Sequence, residues 1–226
     1  MENLKERGYK AVNILRSLAD LLFPAKCPFC GVILPRPGLC DRCGADVPGD
    51  YYWNGSFLCA APLRYEGAVR ECLRRFKFHG DPSAARPLGM LMAVWGERRL
   101  GREFDIVTWA PVSRQRRRKR GYDQSELLAR EVCRAWNRPK PRRLLRKIRN
   151  NPAQSGLRSA GDRASNVRNV YAPVSPERIR GRRILLIDDI CTTGATLGEC
   201  RRILLDAGAE DVACLTAAVA GDSRTP

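Results

Sequence analysis

The sequence predicts an α/β fold, a mainly parallel sheet with helices on both faces, preceded by a small four-cysteine module. Three observations predict it. Short apolar runs alternate with amphipathic stretches from Tyr51 onward, the pattern of strands joined by crossover helices. Four cysteines crowd into a stretch rich in proline and glycine, residues 24–50. The 226 residues, 44% hydrophobic and 29% charged, suit one main domain with a small accessory module and exclude general disorder.

Taken in order, residues 2–22 read as an amphipathic helix, with Leu4, Val12, Leu15, Leu18 and Leu22 at three- and four-residue spacing. Pro24 stops it. The organisation is therefore a helix over 1–23, a cysteine module over 24–50 and the main domain over 51–226. Within that domain Ala60 to Tyr65 reads as a short strand. Gly67 to Phe78 reads as a helix with Val69, Leu73 and Phe76 on one face. Pro82 to Arg99 is a second helix, with Leu88, Leu91, Met92 and Trp95 as its stripe. Phe104 to Val112 is a strand buried on both faces, Gln124 to Trp136 a helix, and Arg142 to Ile148 a weaker strand. Residues 149–169 are polar and without period, and loops of that length in a compact domain are usually functional. Arg183 to Asp189, Ala195 to Ala207 and Asp211 to Val219 complete the pattern as strand, helix and strand.

Composition removes several function classes. No run of 18 apolar residues exists, so no membrane-spanning helix and no membrane insertion is expected. The apolar stretch Ala11 to Phe23 is broken by Asn13, Arg16, Ser17 and Asp20 and has no cleavage site after it, so a cytoplasmic location is expected. One histidine, His79, excludes most histidine triads and any multi-histidine metal site. The net charge of +17 is concentrated: residues 101–170 carry 19 Lys and Arg against 6 Asp and Glu. Charge gathered in this way predicts a polyanionic partner, either nucleic acid or a phosphorylated small molecule.

Cys27 and Cys30, then Cys40 and Cys43, form two C-x2-C pairs nine residues apart. Two tight turns facing each other offer four thiolates to a tetrahedral ion, and four protein ligands leave no open position. The expected group is structural Zn2+. Gly31 and Gly44, each just after a pair, suit unusual backbone angles.

The segment Ile184 to Thr196 carries the most information. A buried strand ends in Asp188 and Asp189, and Thr192, Thr193, Gly194, Ala195 and Thr196 then open a helix. In open α/β sheets the ligand crevice lies at such strand ends. Amides at a helix start hold phosphate, and two carboxylates upstream accept hydrogen bonds from vicinal hydroxyls. A ribose 5-phosphate matches this pattern. No G-x4-G-K-[ST] element is present, which excludes a P-loop enzyme.

The D-D-x-x-T-T-G-x-T run resembles the 5-phosphoribosyl 1-pyrophosphate (PRPP) motif of type I phosphoribosyltransferases. With the cysteine knuckle and the stretch Arg120-Gly121-Tyr122-Asp123-Gln124, the chain resembles the ComF family over nearly its full length. That resemblance implies the type I phosphoribosyltransferase fold, a link to natural competence and DNA uptake, and a helicase-like partner. It implies PRPP held by Asp188, Asp189 and residues 192–196, with Mg2+ bridging pyrophosphate and ribose. Lys77, Ser113, Arg114, Arg118, Arg120, Gly121 and Gln124 fall on the pyrophosphate or nucleic-acid side. Gln154, Arg163 and Asn166 match the family's mobile hood. The family usually has Phe and Asn where this chain has Tyr122 and Asp123, and Asp removes an amide donor there. Two readings follow: transfer of a phosphoribosyl group to an unidentified acceptor, or non-catalytic binding of single-stranded nucleic acid with a regulatory or vestigial PRPP site. The second draws on the basic middle segment, with Trp109, Tyr122 and Trp136 for stacking.

Overall fold

The computed structural model describes residues 24–45, 47, 49, 51–149 and 170–221. The expected helix over 2–22 and the hood positions Gln154, Arg163 and Asn166 lie outside the described residues. The main sheet runs in the order β1 (Tyr51–Asn54), β2 (Leu58–Ala61), β8 (Asp211–Val219), β7 (Arg183–Cys191), β4 (Ile106–Trp109), and β3 (Leu63–Arg64) also pairs with β8. Only β1 is antiparallel to its neighbour; β2, β3, β7 and β4 pair in parallel.

Alternation along β7 separates two cores. Leu185 and Ile187 face a cluster with α2 (Gly67–Phe78), α3 (Ala85–Leu100) and α5 (Gln124–Ala135). Ile184 and Leu186 face α6 (Ala195–Asp206), through Leu197, Cys200, Ile203 and Leu204. Both faces are thus covered, which is why β7 reads as an unbroken apolar run up to its acids.

Several boundaries shift for local reasons. The strand expected over 60–65 is two strands, because Pro62 between them has no amide for the ladder. β4 is shorter than 104–112; Ala110 still donates to Ile187 O at 2.9 Å, but Pro111 cannot follow it. The helix from Pro82 begins as a 3-10 turn over Pro82–Ala84 capped by Asp81. The buried face of α3 is Leu88, Met92, Ala93 and Gly96, while Leu91 and Trp95 are half-buried. A Cβ on Gly89 would meet Glu131 Cβ at 2.3 Å, so glycine sets how closely α3 approaches α5.

The weaker strand over 142–148 is β5 (Leu145–Lys147), which leaves the main sheet and pairs antiparallel with β6 (Tyr171–Pro173). The Ile148 amide donates to Val170 O at 2.7 Å. Two helices had no counterpart in the sequence reading. Residues Asp41–Ala45 form α1, and the basic run Arg114–Arg120 forms α4. Ser113 caps α4, its hydroxyl accepting from the Arg116 amide at 3.3 Å, and Gly121 ends it at φ 83°. Among the described residues no helix is long and apolar enough to cross a membrane.

Candidate functional site

The site is built where β7 runs out. Asp188 and Asp189 lie near its end, buried at 9% and 6% exposure, and the strand continues past the expected Asp189 to Cys191. Thr192, Thr193, Gly194, Ala195, Thr196 and Leu197 then line one pocket with Asp188, Ile190 and Cys191. Gly194 caps α6 at φ 69°, a conformation that favours glycine. The Trp53 ring packs on it so closely that a Cβ there would lie 2.3 Å away. Without a capping side chain, the first-turn amides of α6 stay available to an anion, and the helix dipole adds to their pull.

The carboxylates are held differently. Asp189 pairs with Lys77 from the end of α2, Nζ to Oδ2 at 3.0 Å and to Oδ1 at 3.2 Å. Asp188 Oδ1 accepts from the Ser125 hydroxyl at 2.7 Å and from the Asp189 amide at 2.8 Å. Burial and the neighbouring Asp189 push the Asp188 carboxyl up to about 7, against the pull of Ser125 and Lys77. For Lys77, burial pushes the ammonium down, but Asp189 and Asp188 outweigh it and hold it above its ordinary value.

The expected pyrophosphate-side residues divide into two groups. Lys77, Gln124 and Arg120 are brought together: Gln124 Nε2 donates to Lys77 O at 3.4 Å, and Arg120 donates to Gln124 Oε1 at 3.0 Å. Ser113 and Gly121 begin and end α4 beside them. Arg114 and Arg118 are exposed, and no contact joins them to the acid pair among the described residues. The half-buried arginines of α4 are Arg116 and Arg120, one turn apart.

Asp123 resolves the departure from the family pattern. It is buried, and it caps α5 by accepting from the Glu126 amide at 3.3 Å and from the Val112 amide at 3.0 Å. Both carboxylate oxygens are used as acceptors, so Asp satisfies two amides where Asn, with one acceptor oxygen, would satisfy one.

Sequence reasoning missed three participants. Ser125 follows the Arg-Gly-Tyr-Asp-Gln stretch directly, which is the signal that could have found it. Lys147 sits on β5 with its ammonium 5.2 Å from the Tyr171 ring centroid. Burial and the nearby Arg116 push it down, while Asp188 works the other way, so Lys147 shares the electric field of the site. Trp53 had no sequence signal at all. The aromatics expected for stacking are not free: Trp109 and Trp136 are 6% and 4% exposed. Tyr122 stacks on Phe76 at 5.8 Å, and its hydroxyl donates to Phe76 O at 2.6 Å. Burial in the core outcompetes a surface role for the two tryptophans, while half-buried Tyr122 is held by Phe76.

The four module cysteines converge as expected. Their Sγ atoms all lie within 4.8 Å of one another, and Cys30 Sγ is 3.6 Å from Cys40 Sγ. A tetrahedral tetrathiolate with bonds of about 2.3 Å has sulfur separations of about 3.8 Å, so this donor set fits Zn2+. Burial pushes the Cys27 thiol up, but the amides of Cys40, Cys30 and Phe29 outweigh it and bring it down to about 6. Gly31 takes φ 77° as expected, whereas Gly44 sits inside α1 and needs no special angle. The module rests on the main domain: Phe29 packs on the core and Arg75 donates to Pro28 O at 2.8 Å. Val32 and Ile33 at its tip stay exposed.

The chain resembles known proteins over much of its length. Residues 119–226 match the phosphoribosyl transferase domain. Competence protein F of Haemophilus influenzae is 31% identical over 188 residues, 76% of this chain and 81% of that one. Competence protein ComFC of Bacillus subtilis is 28% identical over 80% of this chain and 72% of that one. Among solved structures, the glutamine PRPP amidotransferase of B. subtilis, complexed with ADP and GMP, aligns at a TM-score of 0.40 and 26% identity over 60% of this chain. This chain spans 26% of that enzyme's length. With its paired acids, its helix-capping glycine and a phosphoribosyl transferase domain in its second half, the chain belongs to the ComF family of competence proteins.

Proposed function

We propose that the chain binds PRPP and transfers its phosphoribosyl group, with pyrophosphate release, to a nitrogen acceptor in the handling of incoming DNA. The observation that carries this is the Lys77–Asp189–Asp188 cluster set against the open start of α6. The 5-phosphate lies on the amides of residues 193–196, and the threonine hydroxyls add donors. Asp188 and Asp189 accept the ribose hydroxyls and orient the anomeric carbon. Lys77, Arg120 and Arg116 face the pyrophosphate. Mg2+ arriving with PRPP supplies charge neutralisation on that leaving group. The glycosidic C–O bond breaks with its electron pair on pyrophosphate, the nitrogen forms the new bond, and its proton passes to solvent. The module cysteines Cys27, Cys30, Cys40 and Cys43 hold a structural Zn2+, which fixes the module against α2.

Calorimetric titration of PRPP with Mg2+ tests the binding step. Wild type should bind and the Asp188→Asn/Asp189→Asn variant should not. Binding by both would place PRPP elsewhere. A pyrophosphate-release assay across amine acceptors then tests turnover.

A further inference from the structure

Ser125, the second residue of α5, is 2% exposed. A serine in a first helical turn commonly turns its hydroxyl to the local backbone. Here Asp123 already takes the Glu126 amide, so that demand is met. The Ser125 hydroxyl donates instead to Asp188 Oδ1 at 2.7 Å, across 63 residues of chain. The Asp189 amide donates to the same oxygen at 2.8 Å. A carboxylate oxygen offers two lone pairs, so Oδ1 is filled. Asp188 Oδ2 accepts from no group among the described residues.

The two acids are therefore prepared in different ways. Asp189 meets a cation, since Lys77 Nζ reaches both of its oxygens. Asp188 meets a neutral donor. A cation against Asp188 would satisfy its charge and leave a weaker acceptor for neutral hydroxyls. A serine fixes the plane of the carboxylate and leaves charge on the second oxygen. Packing does not account for the contact. A buried hydroxyl costs free energy unless it is paired, and alanine has the better helix propensity at such a position.

We infer that Ser125 is a positioning residue for the ribose, holding Asp188 so that Oδ2 is the oxygen offered to a ribose hydroxyl; this rests on the PRPP reading of the site. Ser125 acts only through Asp188 and touches no reacting atom. Asp123, Gln124 and Ser125 then divide one helical turn among three parts of the site: the Val112 amide, the Lys77 carbonyl and the Asp188 carboxylate.

The test is Ser125→Ala, titrated with PRPP and Mg2+ by calorimetry across pH. Burial and Asp189 push the Asp188 carboxyl up, and the Ser125 hydroxyl pulls it down. The other titratable groups in its field are Lys77 on α2, Lys147 on β5, Tyr171 on β6, Cys200 on α6 and Cys214 on β8, and the substitution leaves all of them in place. Without the hydroxyl the carboxylate should ionise about one pH unit higher. Ribose hydroxyls donate to the ionised form. PRPP affinity should therefore fall about tenfold at about pH 6 and no more than about threefold near about pH 9. The ratio of variant to wild type cancels the titration of PRPP itself. NMR titration of the side-chain carboxyls checks the cause: the resonance missing from Asp188→Asn should move its midpoint upward in Ser125→Ala. A loss equal at every pH would reduce Ser125 to a packing role and overturn the proposal, as would unchanged affinity or an unmoved midpoint. Melting temperatures confirm that the variant folds. Failure of wild type to bind PRPP removes the PRPP reading and this one together, whereas wild-type binding without a pH-dependent loss removes this one alone.

Discussion

Lys77 Nζ lies 3.0 Å from Asp189 Oδ2, joining the end of α2 to the end of β7 across 112 residues of chain. This contact holds the acid pair together before any ligand arrives. Lys77→Met leaves two adjacent carboxylates without their cation. PRPP affinity should fall at least tenfold. Stability should fall by about 1–2 kcal/mol, less than for a fully buried pair because the lysine side chain is 30% exposed. Calorimetry and urea unfolding check the two effects; unchanged affinity would remove Lys77 from the pyrophosphate side.

Asp188 makes stability depend on pH. Its folded value of about 7 stands above the ordinary 3.8, so between these the native state binds more protons than the unfolded chain. Stability contributed by this group is present at low pH and is lost as pH rises towards 7. Asp188→Asn removes that loss. The variant should melt several degrees higher than wild type at pH 8, with the gain vanishing near pH 4, while PRPP binding is lost. Thermal scans across pH give the answer; a gain independent of pH would point to packing instead.

Asp123 is committed to two backbone amides, so it has no atom to spare for a ligand contact. Asp123→Asn should keep PRPP affinity within about twofold and cost less stability than Asp123→Ala, since its single acceptor oxygen still satisfies one of the two amides. Asp123→Ala should cost about 1–2 kcal/mol through loss of the cap. Denaturant midpoints and calorimetry on both variants separate capping from binding.

Gly194 is constrained twice, by its φ of 69° and by the Trp53 ring. Gly194→Ala should destabilise by about 1–2 kcal/mol from the left-handed backbone alone, with the ring contact adding to it. PRPP binding should disappear. Trp53→Ala in the same chain should recover part of the stability and none of the left-handed strain. Chemical denaturation of the single and double variants measures both parts.

Metal analysis of the purified protein should find one zinc per chain. Cys40→Ser should lose it and lower the melting temperature, because the three remaining cysteines no longer share an ion that ties the two turns of the module together. A full complement of zinc in the variant would contradict the four-ligand assignment.

Much of the fold was legible because period and composition act locally. Gly67–Phe78 and Asp211–Val219 were read to the residue: the first has a clean apolar face, the second is bounded by turn residues. The acid pair and the loop after it were legible as one pocket because nine consecutive residues carry them. The basic helix α4 was not, since charge masked its Ser113 cap and Gly121 stop, both visible afterwards. Lys147 and Trp53 could not be found in advance. Lys147 reaches the site through pairing of β5 with the distant β6, and Trp53 through a short hairpin whose second strand joins the sheet at the distant β8. The tryptophans chosen for stacking show the converse error: a ring's chemistry suits many roles, and burial decides which.

The last turn of α2 places four neighbouring residues under four different obligations. Arg75 donates to the cysteine module at Pro28 O, Phe76 is wholly buried, Lys77 holds Asp189, and Phe78 projects outward. Successive residues on a helix point about 100° apart, so four in a row sweep nearly the whole circumference. No obligation can be relaxed by sliding the helix. Adding or deleting one residue upstream would rotate every one of them to the wrong address at once. Point substitutions here damage one contact each, whereas a change of length breaks all four. Drift in this segment is therefore confined to exchanges of side chain, and its register is inherited as a single unit.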